Sequence, residues 1–160
     1  NFYEAIQDFT GAAKRLELVK KGEKSIMYRD FAHAPSKVIA TIKALKEQYP
    51  QRKLVVCTEL HTFSSLNKNF LPHYRHATLP ADHAVVFYGP HAVAMKRLEA
   101  VSEEEIKIAF DDPKIKVFTN AAALDDYLMS LDWQNQNLLM MSSGTFDNTD
   151  FKQLAEKIIF

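Results

Sequence analysis

A chain of 160 residues with 47% apolar and 25% charged side chains fits one globular domain with a single sizeable core. Twenty Lys and Arg balance twenty Asp and Glu, which removes any electrostatic case for nucleic acid or an anionic membrane as partner. No apolar run approaches the roughly 20 residues that span a bilayer, no basic segment precedes an apolar core near Asn1, and the lone Cys57 has no partner for an internal disulfide, so a cytoplasmic location is expected.

Apolar residues at Phe2, Ala5, Ile6 and Phe9 recur at helical spacing and stop at Gly11. This reads as the tail of a helix entering from elsewhere, so the chain is expected to be a domain excised from a larger protein. Two runs follow, Arg15 to Val19 and Ser25 to Phe31, joined across Gly22 as an antiparallel hairpin. Pro35 suits the first turn of a helix, Val38, Ile42, Leu45 and Tyr49 share one face of it, and Pro50 stops it. The unbroken run Leu54 to Cys57 predicts a strand buried on both sides, with Cys57 as a small buried hydrophobe. A loop from Thr58 to Asn69, a short helix over Phe70 to His76 and a strand over His83 to Tyr88 come next.

Ser102 and Glu105 form a capping box, with Val101 and Ile106 as its hydrophobic staple. Ile115 to Thr119 is a strand, and Asn120 caps a helix carrying Leu124, Tyr127, Leu128 and Leu131. Asn137 to Met141 is the last strand and ends in Ser142-Ser143-Gly144. A final helix turns Phe151, Leu154, Ala155 and Ile158 inward. Strands alternating with helices predict an α/β, Rossmann-like domain. About six mostly parallel strands are expected, with one antiparallel strand and helices on both faces.

Two stretches concentrate chemistry. Gly11-Ala12-Ala13-Lys14-Arg15-Leu16-Glu17 delivers a Lys-Arg pair at the start of a strand, where a guanidinium fork suits phosphate oxygens. The same pair also reads as a solvated surface feature. Tyr28-Arg29-Asp30-Phe31-Ala32-His33-Ala34-Pro35 places an acid and an imidazole where a strand hands over to a helix. A carboxylate there can accept hydrogen bonds from ribose hydroxyls, and the helix N-terminus beside His33 favours anions. On spacing alone, Asp30 is equally a helix-entry acid and His33 a turn residue.

Together these stretches resemble the C-terminal domain of the Mur ligases of peptidoglycan synthesis. The resemblance rests on Gly11-Ala12-Ala13-Lys14-Arg15-Leu16-Glu17 followed at family spacing by Asp30-Phe31-Ala32-His33-Ala34-Pro35. It continues through Glu59-Leu60-His61-Thr62-Phe63-Ser64 and ends with Leu138-Leu139-Met140-Met141-Ser142-Ser143-Gly144, so it spans nearly the whole chain. Within the family it is closest to murein peptide ligase and UDP-N-acetylmuramate–L-alanine ligase. The chain departs from the pattern at Arg29, where an acid is common, at Ala34, where a second His is common, and at Thr62 and Ser65, where relatives carry Arg.

The resemblance implies Arg15 on the ATP phosphates and in catalysis, Asp30 on the ribose and His33 beside them. It places His61, Ser64, Ser142 and Ser143 toward the incoming substrate. It implies an ATP-dependent ligase in which UDP-N-acetylmuramate receives L-alanine or a murein tripeptide through an acyl phosphate. The P-loop and the Mg²⁺ ligands would sit in a preceding central domain, and nothing here matches Gly-x-x-x-x-Gly-Lys-Ser/Thr, so the domain alone should not turn over ATP. Alternatives are a folylpolyglutamate synthase-like C-terminal domain and a non-catalytic nucleotide-binding module. His61, His73, His76 and His91 lack the partners and spacing of a metal site, and none is expected.

Overall fold

The computed structural model describes residues 16–61, 67–89 and 101–160. The expected helix over Phe2 to Phe9 and the start of the Lys-Arg stretch lie outside them. Among the described residues there are six strands: β1 Leu16–Lys21, β2 Ile26–Asp30, β3 Lys53–Glu59, β4 His83–Phe87, β5 Ile115–Phe118 and β6 Gln136–Met141. Four helices accompany them among the same residues: α1 Pro35–Gln48, α2 Glu103–Phe110, α3 Ala121–Met129 and α4 Phe151–Ile158.

The strands form one sheet in the order β1-β2-β6-β3-β4-β5. Only β1 runs antiparallel, paired with β2 across the Gly22 turn, with a register shift between Leu18 and Lys20. The other pairings are parallel. Beyond the hairpin every connection must therefore cross over a face, and the helices do this on both sides. On one face α1 and α2 bury Val38, Ile42, Leu45, Ile106 and Phe110 against Tyr28, Val56, Val86 and Leu139. On the other, α3 and α4 bury Leu124, Leu128, Phe151, Leu154 and Ile158 against Met27, Val55, Cys57, Val85 and Met140.

Local signals mark most boundaries. Ser102 caps α2 with the reciprocal Glu105 contact, and its staple residues Val101 and Ile106 are buried. Asn120 caps α3 through the Ala123 N–H, and Asp150 caps α4 through the Gln153 N–H. Trp133 is a packing residue whose Nε1 donates to the Leu128 carbonyl at 2.7 Å. Burial drives the Cys57 thiol far above its ordinary range, so it stays a neutral core group.

The helix expected over Phe70 to His76 is shorter than its pattern. A single 3₁₀ turn spans Leu71–Tyr74, and His76 takes a left-handed φ of 64°. Pro72 supplies no N–H to a helical ladder, and a left-handed residue cannot continue one.

Asp82 fastens α1 to the start of β3, accepting from Lys46 Nζ and the Leu54 N–H, each at 2.7 Å. Burial alone would raise its carboxyl pKa. The Lys46 and Leu54 hydrogen bonds outweigh that and hold it below the ordinary value. A depressed folded pKa stabilises above the unfolded value and is lost as pH falls through the folded one. Asp82→Asn is thus expected to destabilise at neutral pH by under about 1 kcal/mol, because the pair is solvent-screened. In acid below the folded pKa the difference should vanish, as urea midpoints at the two pH values would read. Ser102→Ala should cost about 1 kcal/mol in the same assay at neutral pH, through loss of the α2 cap.

Candidate functional site

Parallel pairing brings the carboxyl ends of β2, β6, β3 and β4 to one edge of the sheet, where open α/β sheets bind ligands. Alternation along each strand then sorts the end residues onto two faces.

On the α1 face lies Asp30, the last residue of β2 and only 5% exposed. Its Oδ1 accepts from the Ala32 N–H at 3.0 Å and its Oδ2 from the Thr41 hydroxyl at 3.3 Å. These contacts orient the carboxylate within the corner. His33 is exposed, with Nδ1 3.2 Å from the Phe31 carbonyl, and its own carbonyl accepts from Tyr74 Oη. Helix α1 follows with no side-chain cap at Ala34 and no acid in its first turn. The other three described helices all carry side-chain caps. The positive end of the α1 dipole is thus left without a side-chain acceptor, one residue beyond His33. A cleft of about 460 Å³, lined by Ser36, Ile39, Phe70, His73 and Arg75, opens on the other flank of α1 from Thr41.

On the α4 face lies Glu59, the last residue of β3, also 5% exposed. Its Oε1 accepts from Ser142 Oγ at 2.5 Å and from the Phe146 N–H at 2.9 Å. Ser142 Oγ in turn accepts from the Gly144 N–H at 2.7 Å. Gly144 is packed so closely that a Cβ would stand 2.7 Å from the His61 ring and 2.9 Å from Glu59 Oε1. Beyond it Phe146, Asp147 and Asn148 all adopt left-handed backbone, with φ of 50°, 57° and 63°. Asn and Asp tolerate this readily; a buried Phe does not. Phe146 is held there by its N–H on Glu59 and by its ring against Phe87 and Phe151. Glu59 is therefore the group around which this turn is built.

Of the residues singled out in sequence, Asp30 and His33 share the α1-face corner. His61 and Ser142 share the α4-face turn with Gly144, and Ser143 is exposed on it. Arg15 and Ser64 lie outside the described residues; Leu16, which follows Arg15, pairs directly with Asp30. Thr41 and Glu59 were not given a role by sequence reasoning. Thr41 had no signal beyond helical position. Glu59 did: an acid ending a strand buried on both sides must find hydrogen-bond partners. His76 is engaged elsewhere, with Nε2 2.8 Å from Asp111. Among the described residues no three His, Cys, Asp or Glu side chains gather as a metal site, and no helix is long and apolar enough to cross a membrane.

The family model described as Mur ligase, glutamate ligase domain, matches residues 14–144. A UDP-N-acetylmuramate–L-alanine ligase of Caldicellulosiruptor saccharolyticus is 33% identical over 103 residues, 64% of this chain and 22% of the relative. One from Lactobacillus helveticus is 26% identical over 156 residues, 98% of this chain and 33% of the relative. A murein peptide ligase structure from Psychrobacter arcticus matches with a TM-score of 0.70 at 19% identity, covering 97% of this chain and 32% of that one. A MurF ligase from Thermotoga maritima in complex with ADP matches at 0.54 and 16% identity, covering 89% and 29%. At these identities the structural matches show a shared fold. The chain spans between about a fifth and a third of the length of these curated relatives.

The packing at Gly144 makes a direct prediction. Gly144→Ala should push the His61 ring aside and cost about 1–3 kcal/mol. Ser143→Ala, on the exposed neighbour, should stay within about 0.5 kcal/mol in the same urea titration.

Proposed function

The chain belongs to the Mur ligase family, and from that premise we propose that it is the C-terminal domain of an ATP-dependent, amide-forming ligase of peptidoglycan synthesis or recycling, working in the cytoplasm. UDP-N-acetylmuramate supplies the carboxylate, and L-alanine or a murein tripeptide supplies the amine. A carboxylate oxygen attacks the γ-phosphorus of ATP, and the bond to ADP breaks. The amine nitrogen then attacks the acyl carbon, phosphate leaves, and the nitrogen gives up a proton. The curated relatives are named as UDP-N-acetylmuramate–L-alanine ligases, which favours the muramate substrate over a folate. A fold neighbour solved with ADP supports the nucleotide.

The observation that carries the nucleotide half is the buried Asp30 carboxylate, oriented by Ala32 and Thr41 beside the uncapped start of α1. In this reading Asp30 accepts from the ribose hydroxyls. The helix dipole and His33 favour the phosphates. Arg15 places its fork on the transferring phosphoryl group, where developing charge needs a donor. Among the described residues there is no cluster to hold Mg²⁺, so no step is assigned to it in this domain; its ligands and the P-loop belong to the central domain of the same protein. His61, Ser64 and Ser143 face the incoming amine. Ser142, whose hydroxyl is bonded to Glu59, shapes that side from within. Closing the domain over ATP excludes water from the acyl phosphate, and without the other domains the fragment is inactive.

In the full-length enzyme Asp30→Ala and Arg15→Ala should each lower kcat/KM for ATP by about tenfold to a hundredfold or more, the cost of losing a hydrogen bond to a charged group. Phosphate release with UDP-N-acetylmuramate and either amine reads this. Wild-type rates in both variants would remove the nucleotide from this corner.

A further inference from the structure

One side chain reaches the Asp30–His33 corner from a distant part of the chain. The Tyr74 hydroxyl donates to the His33 carbonyl at 2.5 Å across 41 residues of sequence. Its ring is 1% exposed and stacks on Phe110, the last residue of α2, with centroids 5.1 Å apart and planes 14° from parallel. Phe70 meets the same ring edge-on at 6.0 Å. The His76 N–H bonds to the Phe110 carbonyl at 2.9 Å, which ties the short turn carrying Tyr74 to the end of α2. The place of the hydroxyl is therefore set by packing, not by a flexible side chain. A phenylalanine would make the same ring contacts, and the hydroxyl adds the bond to His33.

That bond is unlike the others in the corner. Across residues 32–34 the remaining hydrogen bonds among the described residues are local. The Ala32 N–H donates to Asp30, His33 Nδ1 lies beside the Phe31 carbonyl, and the Ala34 carbonyl accepts from the Lys37 and Val38 N–H groups. Tyr74 thus supplies the tether that comes from outside the strand–turn–helix unit. The His33–Ala34 peptide is planar and trans, so its C=O and N–H point in opposite directions. With the carbonyl held on the buried Tyr74, the Ala34 N–H is directed away from that ring. No hydrogen bond among the described residues uses it.

We propose that Tyr74 is a positioning residue for the nucleotide: through the His33 carbonyl it fixes the turn that carries the His33 imidazole and the Ala34 N–H. This rests on the nucleotide reading given under the proposed function. Tyr74 is buried and acts through His33, without touching the ligand. Its contribution falls on binding and not on the chemical step, because a turn held beforehand spares the nucleotide the cost of ordering it. The stack on Phe110 also makes the corner depend on α2, an element that supplies no group to it.

The test uses the full-length protein with Tyr74→Phe, which keeps the ring and removes the bond. Calorimetric titration with a non-hydrolysable ATP analogue should show binding weakened about fivefold to tenfold. In phosphate-release kinetics KM for ATP should rise by a similar factor, while kcat and KM for UDP-N-acetylmuramate stay within about twofold. The melting temperature should fall by no more than about 4 °C. Thr78→Val is the control for destabilisation alone. It removes a buried hydroxyl from the same stretch, one that bonds Asp112 at 2.7 Å and not His33. It should lower the melting temperature at least as much and leave the affinity for the analogue unchanged. Wild-type affinity in Tyr74→Phe, an equal loss in Thr78→Val, or a Tyr74→Phe protein that no longer melts cooperatively would each overturn the proposal while leaving the nucleotide reading in place. A wild-type protein that binds no analogue would overturn the nucleotide reading, and the role of Tyr74 with it.

Discussion

The structure depends on where its last strand goes. β6 inserts between β2 and β3 and hydrogen-bonds to both, so a segment formed more than a hundred residues after β2 completes the centre of the sheet. Its effect reaches past the ladder: the Ser142 N–H bonds to the Asp30 carbonyl at 2.9 Å, and the Ser142 hydroxyl bonds to Glu59. At the opposite end, the buried Asn137 side chain accepts from the Ile26 N–H and from Arg52. One strand thereby fixes both acids of the carboxyl edge. Buried polar groups satisfied in this way are costly to misplace, which ties the site's geometry to the fold's register.

The consequence is a site with two sides. Strand alternation sends Asp30 toward α1 and Glu59 toward α4, although both end strands that flank β6 at the same edge. Toward α1 the features suit an anion and a sugar: an oriented carboxylate, an exposed imidazole and a helix start without a side-chain cap. Toward α4 lie a turn held in left-handed backbone, a glycine pressed against His61 and a buried carboxylate held by Ser142 and Phe146. Such a division fits a ligase that must bring a nucleotide and an amine to one reacting carboxylate from different directions.

Much of this was legible in sequence because its causes are local. Pro35 opening α1, the Ser102–Glu105 box and the Asn120 cap are decided within four residues of themselves, and each sits where its pattern placed it. The continuous apolar run Leu54 to Cys57 announced a strand covered on both faces, and Asn137 to Met141 announced the last strand. The sidedness of the site was not legible in the same way. Whether two strand ends share a face depends on register, which is set by long-range pairing. Glu59 passed without a role because its partners, Ser142 and Phe146, are 83 and 87 residues away. Arg29 stood out in sequence only as a departure from the family pattern, because the Phe151 ring it lies over comes from the last helix.

The central claim is that one sheet edge serves two ligands from opposite faces. Amide hydrogen exchange on the full-length protein tests it most directly, with a non-hydrolysable ATP analogue and the amine added separately and then together. The account predicts that the nucleotide slows exchange across residues 30–38 and that the amine slows it across 142–148. Protection of a single shared segment by both ligands, or a nucleotide footprint on 142–148 with none at 30–38, would contradict it.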